Sequence, residues 1–350
     1  MPFPFSRLAP TLMLAPMQDI TDAGFMRIVS ERGAPDACIS EYFRIHESYE
    51  LDSKILDGML NPPDGVRVGA QFIGEDEPLI GRAAAEIARR WPQIDMLDLN
   101  LGCPAPKIYR KNVGGGLLRD AEKMESVVAA ARGAWKGCFS VKMRVGFSDF
   151  SEFEPLFERV LRHSPDFVTI HARTVRQLYR GEADYRAISL AVRMAGDVPV
   201  IANGDIFSAR RAKEVLDSTG CAGVMIGRHA VRNPWIFRQT REVLAGFEPF
   251  RPKLSDVREY VDALCENVRS EGGRLKHLDS RLKKFLNFVA VGVDREGKFL
   301  FRIRRARGID ELLKVCDEFL LDGGNGDKLF ALAPHENLCS RPNHEADTVS

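Results

Sequence analysis

Met96-Leu97-Asp98-Leu99-Asn100-Leu101-Gly102-Cys103-Pro104 opens as a buried strand and closes as a loop. The apolar run Met96 to Leu99 has strand character and Asn100-Leu101-Gly102 turns the chain. Cys103 is left on a loop stiffened by Pro104 and Pro106, which continues through Lys107 to Gly114-Gly115-Gly116. A thiol at the carboxyl end of a buried strand stands where α/β enzymes keep their chemistry. The plain alternative is a structural cysteine. Asn100 adds a polar amide, Gly102 permits close approach of a ligand, and Pro104 fixes the backbone without supplying a donor, so the surroundings favour a site.

The same strand-then-turn pattern recurs along the chain. Short apolar runs at Leu12 to Ala15, Ala37 to Ser40, Val66 to Phe72, Ser140 to Met143, Phe167 to Ile170, Val198 to Ala202 and Gly223 to Ile226 read as strands. Amphipathic stretches such as Leu79 to Arg90, Ala121 to Ala134, Phe153 to His163 and Ser208 to Leu216 read as helices between them. Eight strand-plus-helix units over about 230 residues fit a parallel (β/α)8 TIM barrel, an α/β fold, better than an open doubly wound sheet. The open sheet would carry G-x-G-x-x-G after its first strand, whereas the first strand here ends in Ala15-Pro16-Met17.

Beyond about Phe250 strand-like runs give way to helical ones, Leu254 to Arg269, Ser280 to Val291 and Ile309 to Leu321, which predicts a C-terminal all-helical domain. The chain of 350 residues is nearly neutral at +1, but residues 251–310 hold fifteen Lys or Arg against nine Asp or Glu. Basic character is thus concentrated in the helical part, most densely at Arg302-Ile303-Arg304-Arg305-Ala306-Arg307, which reads either as a solvated helix face or as an RNA-backbone contact. Seven scattered cysteines without a C-x-x-C pair argue against a disulfide framework or a zinc cluster. With no basic region followed by a long apolar one at Met1 to Phe5 and no bilayer-length apolar run, the expected location is the cytoplasm and no membrane is involved.

A barrel gathers its site from the carboxyl ends of several strands. Those ends carry Pro16-Met17, Glu41, Gln71, Asn100 with Cys103, Lys142 with Arg144, His171 with Arg173, Asn203-Gly204-Asp205 and Gly227-Arg228. Taken singly, Lys142 reads as a snorkelling lysine and His171 as a core histidine. Polar groups at nearly every strand end on one side shift that balance. The last two loops fall where such barrels often bind phosphate, so a phosphate-bearing cofactor or substrate is expected there.

Ala15-Pro16-Met17, Gln71, Leu99-Asn100-Leu101-Gly102-Cys103-Pro104, Val141-Lys142-Met143-Arg144, His171-Ala172-Arg173-Thr174, Ile201-Ala202-Asn203-Gly204-Asp205 and Met225-Ile226-Gly227-Arg228, in this order, resemble the tRNA-dihydrouridine synthases. The resemblance runs from about residue 12 to residue 235, and the helical remainder looks like that family's tRNA-binding domain. It implies an FMN enzyme that reduces a D-loop uridine of tRNA with NADPH as electron donor, needing no obligate protein partner. Carried over residue by residue, it implies Cys103 as proton donor and Ala15, Pro16, Met17, Gln71, Lys142, His171, Asn203, Gly204, Asp205, Gly227 and Arg228 as cofactor contacts. On the substrate side it implies Asn100, Arg173, Arg302, Arg304, Arg305 and Arg307. The domains would be an FMN-binding barrel over 1–245, a helical tRNA-binding domain over 246–330 and a disordered tail over 331–350. Asn112-Val113 before the triple glycine and Ala172 after the histidine depart from the common pattern, while the triple glycine and Ser40-Glu41-Tyr42-Phe43-Arg44 look most like the bacterial subgroup acting at position 16. Two alternatives stay open at this point: a flavin barrel acting on a small pyrimidine or other small molecule, and a non-catalytic tRNA-binding protein.

Overall fold

The computed structural model describes residues 9–270 and 278–335. Eight strands, β1 (Thr11–Leu14), β2 (Ala37–Arg44), β3 (Arg67–Ile73), β4 (Met96–Leu101), β5 (Cys138–Arg144), β6 (Phe167–His171), β7 (Val200–Asn203) and β8 (Gly223–Ile226), form a closed barrel in sequence order. All neighbours are parallel, and the sheet closes where Leu12 pairs Val224 and Leu14 pairs Ile226. Closure explains why these strands are rich in apolar residues: each is covered on the outside and packed on the inside, and most of their polar residues are buried. The register of β2 against β3 shifts between Ile39 and Tyr42, a local irregularity at Ser40 and Glu41, inside the strand and at the point where the sequence reading ends it.

Fourteen α-helices lie among the described residues: α1 (Ala23–Gly33), α2 (Ser53–Leu60), α3 (Glu77–Arg90), α4 (Pro106–Tyr109), α5 (Ala121–Ala134), α6 (Phe153–Leu161), α7 (Arg186–Ala195), α8 (Ala209–Thr219), α9 (Arg228–Arg232), α10 (Ile236–Leu244), α11 (Leu254–Ser270), α12 (Leu278–Val289), α13 (Lys298–Arg305) and α14 (Gly308–Leu320). Where the chain leaves a strand and turns back, side-chain caps start the helices. Asp76 accepts from the Leu79 N–H at 2.9 Å to open α3, and Asp120 accepts from the Lys123 N–H at 3.0 Å to open α5. None of these helices is long and apolar enough to cross a membrane.

The barrel interior is layered. Met13, Ala15, Ala37, Ile39, Met96, Phe167, Ile201 and Met225 form one buried apolar cluster. Because side chains alternate along a strand, the residues two and four positions beyond Met96 point inward too, and these are Asp98 and Asn100. The layer above the apolar cluster is therefore polar.

The described chain divides into two compact units. One ends at Ile226 and contains all eight strands; the other takes Gly24–Ala34, Phe207–Arg211 and everything from Gly227 onward. The helical unit thus takes up the chain at Gly227, ahead of the boundary read at 245/246, because α9 and α10 belong to it. Its interior holds the fully buried Arg232, whose guanidinium donates to the carbonyls of Phe207 at 3.1 Å, Ala331 at 2.8 Å and Leu332 at 2.7 Å. Residues 331–335, read from composition as the start of a disordered tail, are held further by Ala331 N–H to the Gly292 carbonyl and His335 N–H to the Val291 carbonyl. The rest of that tail, 336–350, lies outside the described residues.

The basic run at 302–307 ends α13 and continues past it. Phe299 and Ile303 turn inward, leaving the arginines on the opposite side, and one exposed aromatic, Phe301, lies under the Arg305 guanidinium at 3.5 Å from its ring centre. Arg302 pairs with Glu318 at 2.8 Å, and Arg304 donates from Nε to the Asn287 side chain at 2.8 Å.

Candidate active site

The polar layer is one connected set of hydrogen bonds. Asp98 accepts from Ser140 Oγ at 2.5 Å and from Gln71 Nε2 at 2.7 Å. Gln71 in turn accepts on Oε1 from Asn100 Nδ2 at 2.9 Å. Asn100 then turns its Oδ1 to the backbone, where the N–H groups of Gly102 and Cys103 donate to it at 3.0 and 2.9 Å. The loop that carries the thiol is thereby tied to three neighbouring strands. Across the barrel, Lys142 donates to Asn203 Oδ1 at 3.2 Å, and Asn203 donates to the Met225 carbonyl at 2.7 Å.

Cys103 sits partly exposed on a small apolar cluster of Ile73, Ile108 and Val113, bordered by Tyr42 and Ala105. The three glycines that follow are what let its loop fold back. A side chain at Gly115 would come within 2.8 Å of the Cys103 carbonyl, one at Gly116 within 2.5 Å of the Tyr109 carbonyl, and Gly114 has φ +58° with the Cys103 Cβ 3.1 Å from where its own would be. Gly115 N–H closes the loop by donating to the Cys103 carbonyl at 3.2 Å.

Arg144, 2% exposed, binds this loop to the one after β6. Its Nε donates to the Gly102 carbonyl at 3.1 Å, and its Nη1 to the carbonyls of Thr174 and Leu178 at 2.7 and 2.6 Å. Tyr179 stands edge-on to His171 and beneath the Arg144 guanidinium.

Burial raises the Asp98 carboxyl to about 7, against the pull of its hydrogen bonds from Ser140 and Gln71 and of the Lys142 charge. Burial also lowers Lys142 to about 8, helped by the charge of Arg144 and opposed by Asp98 and Cys103. Lys142, expected from the sequence to face a cofactor, therefore also feels the charge at Cys103. Tyr42 is pushed up to about 12, first by burial and then by Cys103. For Asp98 the folded pKa lies above an unfolded value of about 3.9, so the stability it contributes is whole below about pH 4 and lost as pH rises toward about 7. Asp98→Asn is expected to remove that decline. Urea midpoints at about pH 5 and about pH 7.5 check it, and an equal drop in both proteins would exclude Asp98 as the cause.

Of the residues singled out in the sequence, Gln71, Asn100, Cys103, Lys142, His171 and Asn203 all stand at the carboxyl ends of barrel strands or just beyond. Ala15 follows β1 and donates its N–H to the Ile226 carbonyl at 2.9 Å, and the Met17 N–H donates to Thr21 Oγ1 at 3.1 Å, which fixes the turn through Pro16. Gly204, at φ +112°, and Asp205, at φ +48°, turn the chain sharply after β7. Asp205 and Arg173, read as contacts to different ligands, bind each other: Arg173 Nη2 donates to Asp205 Oδ2 at 2.5 Å, and the Ala183 N–H joins it at 2.8 Å. Gly227 and Arg228 are the first two residues past β8. Reading by strand ends missed Asp98, Ser140 and Tyr42. Asp98 had a signal, since it shares an inward face with Asn100 two residues on.

Across residues 13–312 the chain matches the family model described as Dihydrouridine synthase (Dus). The chain belongs to the dihydrouridine synthase family. Among curated dihydrouridine synthases, the "Probable tRNA-dihydrouridine synthase" of Rhodobacter capsulatus is 34% identical over 271 residues, 77% of this chain and 82% of the relative. The "tRNA-dihydrouridine synthase B" of Escherichia coli K12 is 34% identical over 261 residues, 74% and 79% of the two chains. The "tRNA-dihydrouridine(16) synthase" of Neisseria meningitidis is 27% identical over 316 residues, 88% and 94%. Within a dihydrouridine synthase, the polar layer and the tethered thiol lie at the end of the barrel where this fold keeps its chemistry.

Proposed function

We propose that this dihydrouridine synthase reduces the C5=C6 bond of a D-loop uridine in tRNA, at position 16, with FMN in the barrel mouth, NADPH as electron donor and Cys103 as proton donor. The observation that carries this reading is the tethered Cys103 loop beside Lys142, inside a chain that matches the family over residues 13–312. Action on tRNA is supported by the printed names of the relatives, and position 16 by the Neisseria relative, which matches this chain over 88% of its length. The enzyme would act in the cytoplasm without an obligate protein partner.

The residues present fit FMN. Lys142 offers a cation, and Gln71 keeps a second amide hydrogen after donating to Asp98. Thr169 Oγ1 and Arg173 Nη1, both buried, have no hydrogen-bond partner among the described residues. Ala15, Pro16, Met17, Lys142, His171 and Asn203 would border the ring system, with Gly204, Asp205, Gly227 and Arg228 toward the phosphate. When bound, FMN supplies the hydride that adds at C6 of the uracil. A target uridine stacked in the folded D-loop must be drawn out to reach a barrel mouth, so phosphate contacts have to offset an unstacking cost of a few kcal/mol. Arg302, Arg304, Arg305 and Arg307 would supply such contacts, and Asn100 and Arg173 would stand nearer the base.

Purified protein is expected to be yellow. Arg228→Ala is expected to lose flavin on extensive dialysis, because a neutral side chain cannot replace the charge offered to a phosphate; full occupancy in that variant would remove Arg228 from the site. Mapping dihydrouridine in tRNA from a deletion strain is expected to show loss at position 16, and loss at 17 or 20 with 16 retained would refute the site choice.

A further inference from the structure

The hydrogen bonds running from Asp98 to Cys103 have only one self-consistent direction. At one end stand two backbone N–H groups, of Gly102 and Cys103, which can only donate, so Asn100 must present its oxygen to them. Its nitrogen is then the atom turned to Gln71, which forces Gln71 to present oxygen to Asn100 and nitrogen to residue 98. Residue 98 must therefore accept. An ionised aspartate, acceptor only, meets that demand, and Ser140 donates to its other oxygen. The chain is buried: Gln71 and Asp98 are fully enclosed and Asn100 nearly so. A reversed amide in it would leave two like groups facing each other with no water to relieve them.

We infer that Asp98 is a positioning residue which, through Gln71 and Asn100, sets the orientation of the Asn100 amide and so holds the Cys103 loop over the barrel mouth. Asp98 touches neither the loop nor the thiol; it acts by fixing the direction of the two amides between. The inference rests on the reading of Cys103 as proton donor only for its consequence in catalysis, since the hydrogen bonds themselves do not depend on that reading.

The direction of the chain makes a test that mere packing would not pass. Asn100→Asp still accepts from the two backbone N–H groups, but its second oxygen now faces the Gln71 oxygen. If Gln71 turns over to relieve this, its oxygen meets Asp98 instead, which above about pH 7, where the comparison is made, is a carboxylate with no proton to give. Adding Asp98→Asn removes the conflict, because the new amide at position 98 can then donate to Gln71, and Gln71 to the new carboxylate at position 100. Both side-chain bonds between these positions reverse together, and the total charge returns to that of the parent.

Parent, D98N, N100D and D98N/N100D, purified with whatever cofactor they retain, would be compared by urea unfolding and by the rate at which iodoacetamide alkylates Cys103, resolved from the other cysteines by peptide mass spectrometry. D98N alone can still accept from Gln71 and is expected to leave Cys103 alkylation within about threefold of the parent, its stability differing only by the pH-dependent decline that the carboxyl causes. N100D is expected to lower the folding equilibrium constant and to change Cys103 alkylation, each by about tenfold or more. The double variant is expected to return both to within about threefold of the parent, a coupling of opposite sign to the single effects. A double variant no better than N100D would overturn the inference, as would an N100D indistinguishable from the parent. Rescue of unfolding with no change in alkylation at any stage would also overturn it, by reducing the chain to a structural element without hold on Cys103. Neither measurement uses tRNA, so failure here is separate from failure of the proton-donor reading, which is tested by the reaction of a Cys103 variant.

Discussion

Cys103→Ala is expected to retain FMN and to be reduced by NADPH, while reoxidation by tRNA slows by about 10²-fold or more, the range that loss of a general acid costs. Hydride addition at C6 of uracil leaves negative charge at C5 and on the adjoining carbonyl, and a proton at C5 completes the reduction. An ordinary thiol, with a pKa of about 8.5, is mostly protonated at neutral pH and suits that donation. Lys142 pulls the other way, since a cation within electrostatic reach of the sulfur favours the thiolate. Because burial brings Lys142 down to about 8, its charge fades as pH rises through that value, and with it the pull on the sulfur. Rapid mixing of prereduced protein with tRNA, followed by flavin absorbance, separates this step from reduction by NADPH. A variant that reoxidises at the parent rate would remove Cys103 from the proton transfer.

Replacing Arg302, Arg304, Arg305 and Arg307 together with glutamine is expected to weaken tRNA binding by about 10- to 10³-fold at moderate salt and to flatten its salt dependence. Every phosphate that is no longer neutralised takes about 0.7 to 0.9 from the slope of log affinity against log salt. The four are not equivalent. Arg304 is drawn toward Asn287 and Arg302 shares its charge with Glu318, whereas Arg305 stands over the exposed Phe301 ring. A slope reduced by about two to three, short of what four full phosphate pairings would give, is therefore expected. Filter binding over a range of salt concentrations measures it, and an unchanged slope would place the tRNA contacts elsewhere.

Much of the barrel was legible in the sequence because each buried strand had to be rich in apolar residues. Gly223 to Ile226 coincides with β8 and Met96 to Leu99 lies inside β4. Ala121 to Ala134 coincides with α5, whose Asp120 cap and apolar spacing announce it. The basic run at 302–307 was visible as charge but not as the end of a helix, since only Phe299 and Ile303 mark the buried side of α13. The candidate residues were read from the ends of strands, and the structure joins Gln71, Asn100 and the Cys103 backbone in one set of hydrogen bonds and Lys142 with Asn203 in another. Asp98 escaped because it stands in mid-strand, where an acidic residue between leucines suggests an outward position; its partners Ser140 and Gln71 lie 42 and 27 residues away. The pairing of Arg173 with Asp205 is equally a fact of closure, since 32 residues separate them and only neighbouring β6 and β7 bring them together.

Arg144 bears on how the barrel mouth moves. One guanidinium joins the Gly102 carbonyl to those of Thr174 and Leu178. Neither loop can lift without breaking charge-assisted bonds to the other, so thermal fluctuations of the two are coupled in time, and the amides of both should exchange with solvent in a single opening event. A base entering the mouth would then meet two walls that yield together, and its rate of entry would be set by that shared opening and not by the softer of two independent loops.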